Sequence, residues 1–313
     1  MGRKKQSMNT KPTADPKNQH TIPKCYLKQF VDPKIPSNFG PCVWMFERES
    51  KHGKRKNVRS ILTETDIYTF QGDYSIEKSL AQLESEYAVI FDKQIKNRLP
   101  LDPFEHAVLC AFVAVMLQRT LKQKEHIENQ MDQLIGWAKQ LEMVHDAQPK
   151  SSLAWEAAKK DAHKVSVVEM APEIANILSK MNVAFLCTSN KRVSFITSDS
   201  PAYLFNSQLQ FQRWLPPAFG QKHVEVRMPL SPEISVCFSW INNVRGYLVA
   251  TEDMVHNDNR MVFGYSHQYF ITNSKKLNRR WFMRLPVDPV CLWRFLKNKV
   301  PMWIAQLRRK YNV

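Results

Sequence analysis

The longest apolar run in the chain lies at 107–117, where every side chain is apolar. Asp102, Pro103 and Glu105 precede it. An acidic N-cap, a proline at the first helical position and a carboxylate three residues after the cap favour the start of a helix. A helix that is apolar all round is buried in a large core or in a bilayer, and this run is shorter than the roughly 18–20 residues that a bilayer crossing needs. The pattern therefore predicts a central buried helix over 102–120.

Apolar residues recur at helical spacing at three further places, 75–97, 122–147 and 153–180, the last interrupted near Pro172. Short apolar runs typical of strands lie mostly after 182, with a helix predicted at 253–263. The predicted strands are 43–46, 66–70, 183–187, 194–197, 224–228, 234–238, 247–250 and 266–272. Residues 47–59 form a charged turn around a glycine. The chain closes with an amphipathic basic helix at 287–311, which a proline kinks.

This order of elements predicts an α+β fold. It has short N-terminal strands, a central α-helical region around the buried helix, a mostly antiparallel C-terminal sheet and a closing basic amphipathic helix. The chain divides into a disordered basic arm (1–18), a single α+β domain (19–274, with a helical part at 74–181 and a β-rich part at 182–274) and a basic aromatic C-terminal helical segment (275–313).

Charge is concentrated at the two ends. The net charge is +16. Residues 1–60 hold 14 Lys/Arg against 4 Asp/Glu, and residues 275–313 hold 11 against 1. Clustered cations favour a polyanionic partner, either nucleic acid (DNA or RNA) or an anionic membrane surface, and the alternative is a merely solvated arm and helix. The predicted nucleic-acid-binding residues, which alternate with aromatic ones, are Arg279, Arg280, Arg284, Arg294, Lys297, Arg308 and Arg309.

Several common functions lack their motifs. The chain has 8 glycines and neither a GxGxxG nor a P-loop pattern, and it contains no HExxH or GxSxG. Its six cysteines are dispersed, which favours reduced thiols. With no secretory signal and no transmembrane segment visible, we expect a cytoplasmic protein.

The stretch 195–201 is the strongest candidate for a catalytic or metal-binding element, because a predicted strand places Asp199 at its C-terminal end. A carboxylate followed by Glu225-Val226-Arg227 is a weak match to metal-dependent nucleases, whose Glu-x-Lys here has Arg in place of Lys. The structural alternative is that Asp199 caps a turn. Structural interpretations are also open for His20, Glu77, Glu84 and Arg119, as surface residues or ion-pair partners.

Six short stretches together resemble the bacterial family called domain of unknown function 4238. The matching stretches are 20–30 (HTIPKCYLKQF, against His-x-x-Pro-x-x-Tyr-Leu-x-x-Phe), 43–46, 76–84, 117–120, 195–201 and 229–232 (Pro-Leu-Ser-Pro), with Asn259 on a late helix. The likeness runs from about 20 to 272. Ser200 departs from the family's usual Asn. The family name carries no reaction.

The resemblance implies that His20, Glu77, Glu84, Gln118, Arg119 and Asp199 converge at the end of the central helix. Such a set suits phosphodiester hydrolysis: catalytic His20, Gln118, Arg119 and Asp199, with Glu77, Glu84 and Asp199 as ligands of a divalent metal, Mg²⁺ or Mn²⁺. The leading hypothesis is a nucleic-acid-processing protein, a candidate metal-dependent nuclease. The alternatives are a non-catalytic nucleic-acid-binding or defence-associated interaction protein, and a peripheral membrane-surface protein.

Overall fold

The computed structural model describes residues 18–36, 39–65, 67–69, 73–145, 150–189, 192–209 and 216–283. Residues 1–17 of the predicted arm (1–18) and the closing helix at 287–311 lie outside these residues, while Asn18 belongs to a strand. The helices of the described residues are α1 (Lys24–Leu27), α2 (Ser75–Ile90), α3 (Pro103–Gln118), α4 (Leu121–Val144), α5 (Lys150–Lys159), α6 (Ala162–Val165), α7 (Ala171–Lys180) and α8 (Glu252–Tyr265). Short π-helical turns follow α2 at Phe91–Ile95 and precede α7 at Ser166–Met170.

The strands of the described residues form three sheets. They are β1 (Asn18–His20), β2 (Cys42–Glu47), β3 (Gly53–Asn57), β4 (Thr63–Thr65), β5 (Asn182–Thr188), β6 (Thr197–Ser198), β7 (Tyr203–Asn206), β8 (Val224–Pro229), β9 (Ile234–Ser239), β10 (Gly246–Ala250) and β11 (Tyr269–Thr272). The sheet orders are β1-β4, β10-β5-β9-β8-β7 and β3-β2-β11-β6. Only β10 and β5 pair in parallel among these strands. The α+β prediction is confirmed, and so is the mostly antiparallel C-terminal sheet.

Helix α3 is the buried centre of the helical layer. Its N-terminus has the predicted capping box, in which the Asp102 side chain accepts from the Glu105 amide and the Glu105 side chain accepts from the Asp102 amide. The helix packs between α2 and α7. Its apolar residues share one core with inward-facing residues of β5, β8 and β9, such as Phe185, Val226 and Val236. The helices therefore cover one face of the five-stranded sheet.

Helix α8 lies between the two larger sheets. Its Asp258 side chain accepts a hydrogen bond from Ser235 on β9, while Phe263 packs edge-on against Phe270 of β11. Trp281, just after β11, belongs to the same aromatic cluster as Phe270. The described part of the basic segment, up to residue 283, thus packs onto the rest of the fold.

Several local predictions were wrong. Instead of a strand at 66–70, the chain forms β4 at Thr63–Thr65, and 67–69 is irregular. The predicted charged turn contains β3, which tolerates its charges because it lies at the edge of a sheet. Strand β7 was missed. The strand predicted at 194–197 is only Thr197–Ser198, because the backbone just before it bonds instead to the side chain of Asn259.

Two helix ends also differ. The predicted helix at 75–97 is α-helical only to Ile90. Asp73 holds its start by accepting from the Ser75 amide and hydroxyl. The helix predicted at 153–180 is split into α5, α6 and α7. Pro172 lies in the first turn of α7, where a backbone N–H has no helical acceptor, so the proline breaks no hydrogen bond.

No one helix among the described residues has both the length and the hydropathy to cross a bilayer. Helices α3 and α4, which meet at a bend of 57°, meet these criteria only as a pair, by length and composition.

Candidate functional site

Arg119 at the C-terminal end of α3 organises a buried polar cluster. Its side chain is 2% exposed. Nη1 donates to Glu84 Oε1 at 2.6 Å and Nη2 donates to the backbone oxygen of His20 at 2.5 Å. Tyr68 lies beside the guanidinium, 5.3 Å from ring centroid to Cζ, and its hydroxyl donates to the Arg119 carbonyl at 2.8 Å. Arg119 thereby connects α2, β1 and the turn after β4 to the C-terminal end of α3.

Two carboxylates of α2 face this guanidinium. Glu77 and Glu84 are seven residues apart and therefore lie on one side of the helix. Glu84 forms the ion pair with Arg119. Burial raises the pKa of Glu77, Arg119 opposes that shift and Glu84 adds to it. Glu77 Oε2 is buried and has no hydrogen-bond partner within the described residues.

The His20 side chain is half-buried beside the same cluster. Burial and the nearby cations of Lys24 and Arg119 lower its pKa to about 4. Its imidazole is therefore neutral at pH 7. Nδ1 is buried without a partner among the described residues. A neutral ring nitrogen of this kind has the protonation state that a general base requires.

Three further residues near the cluster, Lys24, Cys25 and Tyr68, are not among the predicted site residues. Lys24 and Cys25 lie in the 20–30 stretch, at the start of α1, four and five residues after His20. Burial, together with the charge of Glu84, raises the pKa of Cys25 to about 12, which makes this thiol a poor nucleophile. Tyr68 follows no sequence pattern, and its role comes from the turn after β4.

Gln118 lies next to Arg119 in sequence but its side chain contacts other groups. Adjacent helical residues project about 100° apart. Its Oε1 accepts from Ser166 Oγ at 2.8 Å and from Gln123 Nε2 at 3.4 Å. The Gln118 carbonyl contacts His163 Nε2 at 3.0 Å, and burial lowers the pKa of His163 to about 4.

Asp199 is fully engaged with backbone amides elsewhere. It is 6% exposed. Oδ1 accepts from His267 N at 2.8 Å, and Oδ2 accepts from Gln268 N at 2.6 Å and Tyr269 N at 2.8 Å. Burial raises its pKa, and the three amide hydrogen bonds act against that shift. Asp199 thus fixes the start of β11, and it shares no hydrogen bond or ion pair with Arg119 or His20 within the described part of the chain.

The Glu225-x-Arg227 pattern on β8 belongs to another buried network. Arg227 Nε donates to Glu225 Oε2 at 2.7 Å, and Arg227 Nη1 lies 3.3 Å from Asp258 Oδ1. Asp258 also accepts from the hydroxyls of Tyr203 and Ser235. These contacts join β7, β8 and β9 to α8 and leave no contact between Glu225 and Asp199 among the described residues.

Four of the six predicted residues therefore come together: His20, Glu77, Glu84 and Arg119. Gln118 and Asp199 do not join them. Within the described residues, no three His, Cys, Asp or Glu side chains are grouped so as to hold a metal ion.

A larger concavity shares no lining residue with the Arg119 cluster. A groove of 1050 Å³ is lined by three parts of the chain, among others. These are the β2–β3 hairpin, the turn at 32–34 and the segment 273–279 after β11. Its cationic lining residues are Lys34, Arg55, Arg192, Lys275, Lys276 and Arg279. Asp32 is the one acidic residue among the lining residues described. We call this site the basic groove.

The wall of the basic groove fixes its cations. Trp44 Nε1 donates to Asp32 Oδ2 at 2.8 Å, and Asp32 lies 3.7 Å from Arg55. Arg55 and Lys275 approach the Trp44 ring at 5.2 and 5.7 Å from its centroid. Because the indole already carries two cations, the basic groove presents charge rather than an open aromatic surface.

Two of the predicted nucleic-acid-binding residues can be placed. Arg279 lines the basic groove. It forms no ion pair with a described carboxylate, and neither does Lys276. Arg280 instead pairs with Asp253 of α8. Arg284, Arg294, Lys297, Arg308 and Arg309 lie outside the described residues.

A protein-family model described as "Protein of unknown function (DUF4238)" matches residues 18–276. This range includes both the Arg119 cluster and most of the basic groove. No curated protein and no solved structure matches the chain.

Proposed function

We propose, for a chain that belongs to the DUF4238 family, that it binds nucleic acid through the phosphate backbone, in the basic groove. The observation that carries this proposal is the imbalance of charge in that one concavity, six cationic side chains against one carboxylate. Asp32 offsets only one of the six, since its Oδ2 lies 3.7 Å from Arg55, and the lining keeps a net positive charge.

The expected recognition is by charge, without base readout. Phosphate contacts by Lys and Arg position a protein on nucleic acid but carry no sequence information. Base stacking needs an open aromatic face, and Trp44 has cations beside its ring. Trp281 is also unsuited to stacking, because it is 7% exposed and its Nε1 donates to His256 Nδ1 at 3.2 Å.

Anisotropy of labelled RNA and DNA oligonucleotides, titrated with the protein at several salt concentrations, tests this proposal. If about five phosphates are neutralised, log K should fall against log salt with a slope of about −3.5 for single strands. Oligonucleotides of different sequence should bind alike. Vesicles containing phosphatidylserine serve as the comparison. Binding without salt dependence, or binding to vesicles alone, would refute the proposal.

A second candidate function is cleavage of the bound strand at the Arg119 cluster. It is favoured by two buried polar atoms without partners in the described residues, His20 Nδ1 and Glu77 Oε2. In this role the neutral His20 ring is the base, and Glu77, whose pKa is raised, is the acid. Arg119 holds the cluster together through its hydrogen bonds to Glu84 and to the His20 backbone oxygen.

His20→Asn is the sharpest variant for this second candidate, because the His20 backbone oxygen that binds Arg119 is retained. The expected result is loss of cleavage of labelled RNA or DNA, assayed with Mg²⁺, with Mn²⁺ or with a chelator, while strand binding persists. Glu77→Gln should behave in the same way. Cleavage that is equal in wild type and both variants would exclude these residues as the acid and base.

A further inference from the structure

Helices α4 and α5 form an arm with one uncovered apolar face. Four side chains of α4 on this face are exposed: Leu134 (37%), Trp137 (61%), Leu141 (60%) and Val144 (78%). We call these four residues the arm stripe. Soluble monomers rarely leave a contiguous apolar patch of this kind uncovered.

The arm stripe points away from α5. Helix α5 is fixed to α4 by an ion pair from Lys159 to Asp132, by another from Glu156 to Lys139, and by the hydrogen bonds of Glu142 to the start of α5. Each of these positions on α4 precedes a residue of the arm stripe by two. A step of two residues turns a helix by about 200°, so the partner helix lies on the opposite side and leaves the arm stripe open.

The spacing of the arm stripe fits a helical partner. Residues 134, 137, 141 and 144 follow steps of three, four and three, which is the a/d pattern of a two-helix seam. Such a seam buries its apolar residues only when another helix of similar pattern lies along it.

The charge around the arm stripe selects the partner. The other side chains of this face between 130 and 144 are the uncharged Gln130, Gln133 and Gln140. The positive charge of the chain is concentrated at residues 1–60 and 275–313, so the side chains of this face add no charge repulsion between two copies. A nucleic acid or an anionic membrane would instead seek cations, which this face lacks.

We propose that the arm stripe pairs with the same stripe of a second copy, so that the chain forms a two-fold dimer through α4. A symmetric contact of this kind is self-complementary by construction. The proposal is independent of nucleic-acid binding, because the basic groove and the arm stripe share no residue.

Sedimentation analysis of the full chain tests the dimer. Wild type should be dimeric, and Leu134→Gln/Leu141→Gln should shift the equilibrium toward monomer by about tenfold or more. The matched control is Phe104→Gln/Val249→Gln, which removes apolar side chains that are 64% and 70% exposed away from the arm. The control should remain dimeric. Circular dichroism melting verifies that both variants fold.

Cysteine cross-linking provides a second readout. Gln133→Cys lies beside the arm stripe and should give a disulfide-linked dimer on mild oxidation, whereas exposed Gln82→Cys on α2 should not. A wild-type chain that sediments as a monomer at every protein concentration tested would overturn the proposal. This holds whether the arm stripe is exposed to solvent or covered by another segment of the same chain. A dimer that persists in the Leu134→Gln/Leu141→Gln variant, without a Gln133→Cys cross-link, would overturn it too.

Discussion

The guanidinium of Arg119 and the carboxylate of Glu84 lie 2.6 Å apart, although 35 residues separate them in sequence. The pair joins α2 to the end of α3, and Arg119 extends it to the backbone of His20 on β1. A buried cation of this kind is stable only while its partners remain. The pair therefore accounts for the convergence of the N-terminal strand, α2 and α3 at one point.

Arg119→Met should lower the free energy of unfolding by about 3 kcal/mol, because it leaves Glu84 and the His20 carbonyl without their donor. Urea denaturation measures the change. The exposed Arg59→Met is the control and should stay within about 0.5 kcal/mol of wild type. An Arg119→Met protein of normal stability would show that the cluster does not hold these elements together.

Asp199→Asn tests the role of the carboxylate at the start of β11. An amide has one acceptor oxygen and a donor NH₂, so it would face three backbone donors with a group of the wrong kind. We expect a loss of about 2 kcal/mol in unfolding free energy, with unchanged binding of oligonucleotide. If stability is retained and cleavage is lost, Asp199 has a chemical role instead.

Gly53→Ala should destabilise the β2–β3 hairpin. A Cβ at this position would overlap the ring of Phe46, which is buried and stacked on Phe270 at 5.1 Å. Forcing this ring to move should cost about 1–3 kcal/mol. The control is Gly136→Ala in α4, where a Cβ meets no atom within 4 Å and should stabilise by up to about 1 kcal/mol. Equal effects of the two changes would contradict the close packing.

Acid should weaken the fold between about pH 6.5 and 4. His163 has a pKa lowered to about 4 by burial, so between these values the unfolded chain binds the extra proton and the folded chain does not. Stability therefore falls as pH falls, on the order of 2–3 kcal/mol from this residue. His163→Gln should make the pH dependence of the urea midpoint shallower over this window, while the contribution of His20, whose pKa is also lowered to about 4, remains. The exposed His52→Gln should keep the slope of wild type, and an unchanged slope in His163→Gln would contradict the assignment.

The sequence predicted best where the determinants are local. Asp102, Pro103 and Glu105 specify the start of α3 within four residues, and the apolar run that follows requires burial. The fold class followed from the change of spacing after 182. Strand β7 was not predicted because it is short, begins two residues after Pro201 and depends for its identity on pairing with β8.

The candidate site was predicted only in part, since distant contacts determine it. The amides that occupy Asp199 belong to residues 267–269, about seventy positions later. Gln118 and Arg119 look like one motif in sequence, but their side chains contact different groups. The basic groove combines cations from both ends of the chain. The charge distribution in the sequence shows that both ends are basic, but only the fold brings them together.

The most direct test of the account is the salt dependence of oligonucleotide binding by Lys275→Gln/Lys276→Gln/Arg279→Gln. The matched control is Lys78→Gln/Lys93→Gln/Lys96→Gln, which removes as much charge from exposed positions in and after α2. If three phosphate contacts are lost, the slope of log K against log salt should become shallower by about 2 for a single strand, while the control keeps the wild-type slope. Equal slopes in the two variants would contradict binding in the basic groove.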